Sequence, residues 1–387
     1  MQSQKDGISG AMRSKMPRIL TVCGTRPEAI KLAPVVRAAL ASPAADHRLC
    51  VTGQHRQMLD QVLAVFGLTP DDDLNIMRPD QTLDSVAAAA LAGVGGVIDA
   101  WKPDWVIVQG DTTTAFAASL AAYHRQVRVA HVEAGLRTGN MLSPWPEEGN
   151  RRLIGQLAHI HFPPTDWAAS NLIREGFAPD RIEVTGNTVI DSLNWVVGEL
   201  SRFPKIENRF AFLDPNRKLI LVTGHRRENF DGGLERVCAA LATLAKRDDV
   251  QIVYPVHLNP RVQATAEAVL KDCGHVHLIE PQDYLPFVWL MQRCHLIVTD
   301  SGGIQEEAPG LGKPVLVTRD TTERPEAIEA GTARLIGTSS AALVAAVTEL
   351  LDGPAAYAAM AGAKNPYGDG KSAPRIIARL IKESQAK

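Results

Sequence analysis

The sequence predicts an α/β protein with two parallel sheets, and three observations carry that expectation. Short runs rich in Val and Ile alternate with longer helical patterns from Ile19 to the end, the mark of parallel sheets covered by helices. A parallel sheet leaves neither face wet, and one sheet rarely absorbs as many strands as this chain offers. The alternation pauses once, over 202–216, where two prolines, mixed charge and weak periodicity mark a joining region. Two Rossmann-like domains facing each other across a cleft is the simplest arrangement.

In the first half, strands are expected at Ile19–Cys23, Arg48–Thr52, Trp105–Gln109, Val127–Val132 and Ile182–Thr185. Helices are expected near Glu28–Leu40, Arg56–Phe66, Leu83–Ala100, Thr113–Tyr123, Glu148–Ala158 and Asp166–Glu175. The second half restarts with strands at Leu219–Thr223, Gln251–Pro255, Val276–Ile279, Leu296–Thr299 and Val315–Thr318. An amphipathic helix closes the chain from Pro374 to Lys387. The expected division is a disordered leader over 1–15, a first domain over 16–200 and a second over 201–373.

Composition narrows the function. The 387 residues are 45% hydrophobic and 22% charged, as in soluble globular proteins. With 41 basic against 43 acidic residues and no basic tract, the chain lacks a nucleic-acid footprint. An anionic ligand would be met by a few placed cations. Cys23, Cys50, Cys238, Cys273 and Cys294 are scattered, without a CxxC pair, so each reads as a small buried side chain in a reducing compartment, the cytoplasm. The most apolar run, Val86 to Ile98, reads as too short and too rich in Ala and Gly to span a membrane.

Ligands of open α/β sheets bind beyond the carboxyl ends of the strands, and those positions are unusually polar here. The first strand runs into Gly24, Thr25, Arg26, Pro27 and Glu28, with Lys31 one turn on. Free N–H groups at that helix start, with Arg26 and Lys31, suit an anion; a plain strand-to-helix turn is the bland alternative. Asp111 follows the third strand, where either it or Thr112 caps the next helix. Glu133 ends the fourth strand, where a carboxylate is costly unless paired or facing a cleft, and Arg137 is its simplest partner. Glu147 lies four residues before Arg151, the spacing of a surface ion pair. Three carboxylates at successive ends of one sheet, with Lys31 and Arg151 nearby, suggest proton transfer.

In the second half, Gly224-His225-Arg226-Arg227 follows the first strand, and His257 follows the next. His225 and the arginines suit a phosphate. The segment Ser301-Gly302-Gly303 opens a helix and suits an oxyanion, with Glu307 placed to accept from ribose hydroxyls. Arg319 and Arg324 add cations at the same edge.

With these segments in view, the chain resembles the non-hydrolysing UDP-N-acetylglucosamine 2-epimerases. The matching motifs are GTRPEAIKLAP, TGQHRQM, QGDTTTAFA, HVEAGLRT, PWPEEGNRRLI, GHRREN, PVHLNP, TDSGGIQEEAPGLGKPVLV and RDTTERPEA, in family order from about Ile19 to Pro325. The resemblance implies the glycosyltransferase-B fold, with the C-terminal helix 374–387 crossing back to the first domain, and a homodimer. It implies that UDP-N-acetylglucosamine and UDP-N-acetylmannosamine are interconverted through loss and re-addition of UDP, supplying cell-surface polysaccharide. By position, Asp111, Glu133 and Glu147 take the acid/base places. Lys31, Arg151 and His225 take charged active-site places, and Arg26, Ser301, Gly302, Glu307 and Arg324 take nucleotide places. Gln54, Gln57, Arg226 and His257 match part of a second, activating substrate site in some members. Arg78-Pro79-Asp80-Gln81 departs from that site's pattern by lacking a basic residue directly before the glutamine.

The sequence holds no metal cluster or nicotinamide fingerprint, and reversible elimination requires neither, so no cofactor is expected. Rivals are a hydrolysing epimerase that releases N-acetylmannosamine and UDP, a sugar transferase on the same scaffold, and a non-catalytic UDP-sugar sensor.

Overall fold

The computed structural model describes residues 16–53, 56–78, 80–224 and 232–386, with 56–58 described by backbone alone. The expected leader over 1–15 lies outside the described residues. The strands of the first sheet are β1 (Arg18–Cys23), β2 (Asp46–Val51), β3 (Asp72–Asp73), β4 (Trp105–Gln109), β5 (Arg128–Val132) and β6 (Ile160–Phe162). Those of the second are β7 (Lys218–Thr223), β8 (Val250–Pro255), β9 (Val276–Ile279), β10 (Leu296–Thr299), β11 (Val315–Val317) and β12 (Ala333–Leu335). Helices α1 (Arg26–Leu40), α2 (Arg56–Val65), α3 (Leu83–Trp101), α4 (Thr113–His124), α5 (Glu147–Leu157), α6 (Asp166–Arg174) and α7 (Thr188–Glu199) accompany the first sheet. After α8 (Lys205–Arg209) come α9 (Gly233–Leu244), α10 (Pro260–Leu270), α11 (Tyr284–Arg293), α12 (Gly302–Glu307), α13 (Pro325–Glu329), α14 (Ser340–Asp352), α15 (Pro354–Ala361) and α16 (Ser372–Gln385).

The sheets are ordered β3-β2-β1-β4-β5-β6 and β12-β11-β10-β7-β8-β9. Renumbering the second from its own first strand gives the same order, so each is a Rossmann-type sheet whose direction of winding reverses beside its first strand. That reversal opens a crevice between the β1 and β4 loops in one sheet and between the β7 and β10 loops in the other, which is where such folds bind ligands. All the ladders are parallel.

Burial on both faces follows from that geometry. Along β1, Ile19 faces one core and Leu20 and Val22 another. The first of these cores is shared by the two sheets, running from Ile19 and Ile107 through Val189 and Leu193 of α7 to Val288 of α11 and Ile297 of β10. Helix α16 buries Ile376, Ile377 and Leu380 in the same core. Its first N–H groups, on Ser372 and Ala373, donate to Asp191 of α7 at 3.2 and 2.9 Å, and Trp105 of β4 donates to Ser384 at 2.9 Å.

Several elements differ from expectation. Ile182–Thr185 forms no strand. It lies extended beside β6 with two hydrogen bonds, from Glu183 N and Thr185 N, and a single bridge at Ile182. The strand in that place is β6, and the short β3 and β12 and the helix α7 were also not anticipated. The joining region carries α8 and is pinned by Phe210, buried and stacked on Trp289 with centroids 5.0 Å apart. Helix α3, with 19 residues, is long and apolar enough by length and composition to cross a membrane, contrary to the reading of its apolar run. In the fold it connects β3 to β4, burying Val86, Ala90, Val94, Val97 and Ile98.

Candidate active site

The β1–α1 turn is built by tight packing. A Cβ on Gly24 would stand 2.5 Å from Thr52 Oγ1 and 2.6 Å from Thr114 Oγ1. Pro27 takes the second helical position after the Thr25 cap. The N–H groups of Gly24 and Thr25 are not free for an anion: both donate to the buried Glu28, at 3.1 and 2.8 Å. Thr112 Oγ1 donates to the same carboxyl at 2.7 Å. Burial raises the Glu28 pKa against these bonds.

Thr112 caps α4 through Ala115 N, which releases Asp111 for the cleft. The Asp111 carboxylate accepts from Arg151 Nε at 2.9 Å and Nη2 at 2.5 Å. Arg151 also reaches the fully buried Glu148 at 3.3 Å. The surface Glu147–Arg151 pair that the spacing allows does not form: α5 turns Arg151 toward Asp111, and Glu147 is half-buried at the first position of that helix. Glu147 therefore opens a helix and does not end a strand.

Glu133 follows β5 with a φ of 60°, a left-handed backbone that non-glycine residues seldom adopt and that collects at functional sites. Its carboxylate accepts from Lys31, Gln109 and Asn187, the last at 3.2 Å. Arg137, the nearest arginine in sequence, instead makes a two-pronged pair with Glu175 at 2.7 Å. A Cβ on Gly110 would lie 3.7 Å from Glu133 Oε2, so this carboxylate borders the Gly110-Asp111 turn. Lys31 also stands 3.5 Å from Glu306 of α12. Burial works against its charge, but the two carboxylates outweigh it and the Lys31 pKa is raised.

On the facing sheet, Ser301 stands at the N-cap position of α12, where its side chain makes no capping bond, and its N–H donates to Thr299 Oγ1 at 3.0 Å. Added Cβ atoms at Gly302 and Gly303 would meet protein only at 3.9 and 3.8 Å, so packing within the chain does not require glycine there. Glu307 is buried and accepts from Tyr284 Oη at 2.9 Å. Burial first, and the neighbouring Glu306 second, push its pKa up to about 7 against the Tyr284 bond. Arg324 donates from Nε to Glu306 at 2.5 Å. Arg26, half-buried, lines a cavity of about 330 Å³ with Val62, Tyr284, Leu285 and Pro286, between the two halves.

The structure thus brings Lys31, Asp111, Glu133 and Arg151 to the end of one sheet and Ser301, Glu307 and Arg324 to the end of the other. His257 accepts from Asn259 N at 3.1 Å in the β8–α10 turn. His225, Arg226, Gln54 and the Gln57 side chain lie outside the described residues. Sequence reasoning missed Gln109, Asn187, Tyr284 and Glu306. Only Glu306 left a signal, as the neighbour of Glu307; the others are neutral residues whose relevance depends on contacts from distant segments.

Two facing Rossmann-type sheets, with ionisable side chains gathered at the carboxyl ends of both, define an enzyme of glycosyltransferase-B architecture. The chain belongs to the UDP-N-acetylglucosamine 2-epimerase family, whose model matches residues 37–381. The UDP-N-acetylglucosamine 2-epimerase of Yersinia pestis is 56% identical over 94% of this chain and 98% of its own length. That of Escherichia coli K12 is 55% identical with the same coverage. Among solved structures, the Neisseria meningitidis UDP-GlcNAc 2-epimerase bound to UDP-GlcNAc is 48% identical, covers 94% of this chain and 100% of its own, and superposes with a TM-score of 0.87. An S. aureus MnaA–UDP structure is 44% identical over 96% of this chain and 98% of its own, with a TM-score of 0.85.

Proposed function

We propose that this enzyme interconverts UDP-N-acetylglucosamine and UDP-N-acetylmannosamine by eliminating UDP and re-adding it. The observation that carries the reading is the facing of two charged sets across the cleft: carboxylates on one sheet, and Ser301, Glu307 and Arg324 on the other. The C2 hydrogen of the sugar has no adjacent carbonyl, so direct deprotonation is closed. When the C1–O bond breaks, its electron pair leaves on the diphosphate; the C2 proton passes to a carboxylate, and a C1–C2 double bond forms. Arg324, Arg26 and the Ser301 turn are the groups proposed to bind the charge on the departing diphosphate, with His225 in the same role. A second carboxyl group returns a proton to the opposite face of C2, and the diphosphate oxygen attacks C1 again. Asp111, Glu133 and Glu147 are the proposed proton carriers; Lys31 and Arg151 hold the first two. The glycal must not escape, so closure of the cleft belongs to this mechanism.

Incubation with UDP-N-acetylglucosamine in deuterium oxide, followed by NMR, tests the reading. The UDP-linked manno epimer with deuterium at C2 is expected. Free N-acetylmannosamine with UDP would mean hydrolysis, and binding without exchange would mean a sensor. Asp111→Asn and Glu133→Gln are expected to lower turnover by at least a hundredfold while UDP still binds in a calorimetric titration; wild-type turnover in either variant removes that residue from the catalytic set.

The five cysteines are free thiols, four of them buried, which supports work in the reducing cytoplasm. We further propose division into the two domains expected from sequence, and a homodimer. Ala88, Ala92 and Gly96 form an exposed stripe on α3 that a second copy could approach closely, and sedimentation velocity reads the outcome.

A further inference from the structure

The carboxylate of Glu306 spans the two halves of the site. It is 1% exposed, and its two oxygens are engaged on opposite sides of the boundary between the sheets. Oε1 accepts from Arg324 Nε at 2.5 Å, on its own side. Oε2 accepts from Asn187 Nδ2 at 3.0 Å and lies 3.5 Å from Lys31 Nζ, carried respectively by the N-cap of α7 and by α1 in the other half. Asn187 Nδ2 also reaches Glu133 at 3.2 Å, and Lys31 completes the circuit by pairing with Glu133. Two cations and two anions therefore form one buried, charge-balanced set. Among the described residues, Glu306 contacts both Arg324 at the diphosphate end and Lys31 at the proton-transfer end. Such a set is far more sensitive to loss of one member than a surface pair, because the remaining charges stay buried.

We propose that Glu306 is a positioning residue for the epimerisation, sharing itself between Arg324 and Lys31 so that binding of a diphosphate on one sheet sets the Lys31–Glu133 pair on the other. The inference rests on the proposed function. A diphosphate that draws Arg324 toward itself weakens the Arg324–Glu306 bond. The freed carboxylate charge then falls more fully on Lys31, which loosens the hold of Lys31 on Glu133 and frees that carboxylate to exchange a proton with C2. Occupancy of the leaving-group side thus prepares the proton-transfer side.

Glu306→Gln keeps the shape and removes the charge. Its kcat is expected to fall at least tenfold, while UDP affinity stays the same or tightens, because Arg324 loses its competitor. The alkaline limb of kcat/KM is expected to move to lower pH, since Lys31 loses one of the carboxylates that favour its charge. Glu133, Glu306, Glu307 and Arg324 are charged groups facing Lys31; Glu307 and Tyr367 also face Glu306. A merely structural role would weaken UDP binding along with kcat and leave the alkaline limb in place, and that result overturns the proposal, as does wild-type kcat. Should Glu306→Gln fail to fold, Glu306→Asp decides. One methylene shorter, it keeps the charge but cannot span Arg324 and Lys31, so the same fall in kcat with UDP binding kept is expected, and wild-type kcat refutes the inference. Deuterium exchange at C2 by the wild-type enzyme is the control: its absence removes the proposed function itself, whereas exchange by wild type and variants alike removes only the role of Glu306.

Discussion

Glu133 holds a left-handed backbone at φ 60° while its carboxylate is tied by three side chains. The strain and the bonds are separable by substitution. Glu133→Ala and Glu133→Gly both remove the carboxylate, but only glycine tolerates this backbone freely. The glycine variant is expected to be the more stable of the two by about 1 kcal/mol in urea unfolding; equal stabilities would mean the backbone relaxes at no cost. Glu307 gives a second expectation. Its folded pKa of about 7 lies above the ordinary 4.5, so the folded state holds this proton more tightly than the unfolded chain. Its contribution is intact below pH 4.5 and is lost as pH rises toward 7, by roughly 1–3 kcal/mol in all. Glu307→Gln is expected to narrow the difference in Tm between pH 5 and pH 8; an unchanged difference assigns the pH dependence elsewhere. At this scale the sequence disclosed the ionisable residues at the strand ends but not their partners. Arg137 is four residues from Glu133, yet the fold gives it to Glu175, and Lys31 arrives from 102 residues away.

Among the elements, those with strong periodicity were legible almost to the residue. Strands β4, β9 and β10 fall where expected, because their apolar runs are bounded by turn residues. Three short strands were not: β3, β6 and β12 have only two or three residues each, too few for a period, and they become strands only because a neighbouring strand offers hydrogen bonds. Helix α7 was missed for a different reason. Its Thr188, Val189, Ile190, Val196 and Val197 are β-branched and weak helix formers, so its stability comes from the shared core and the Asn187 cap. α16 depends on a partner in the same way, since Asp191 supplies the cap that its own Lys371 does not. Asp191→Ala is expected to cost about 1–2 kcal/mol and to raise hydrogen exchange in the first turn of α16. Exchange unchanged there would show that apolar burial alone holds the helix.

Across the whole molecule, one apolar core runs between the two sheets through α7 and α11 and takes in α16. Two Rossmann-type units joined in this way should not unfold separately. Single-tryptophan variants that keep Trp105 in the first sheet or Trp289 in α11 are expected to report the same urea midpoint; two resolved midpoints would mean the units are independent. The same joining brings a carboxylate from α12 into contact with a lysine from α1.

The α/β class, the doubling of the sheet and the placing of ionisable residues just after its strands were determined by the sequence itself, because hydrophobic period and turn chemistry are local properties of the chain. The matching winding of the sheets, the sharing of one core and the assignment of Glu133 to Lys31, Asp111 to Arg151 and Glu306 to both halves were decided only in the tertiary structure. Those outcomes depend on which segments meet in space, and the energy of a buried charge depends on every neighbour it meets, however distant along the chain.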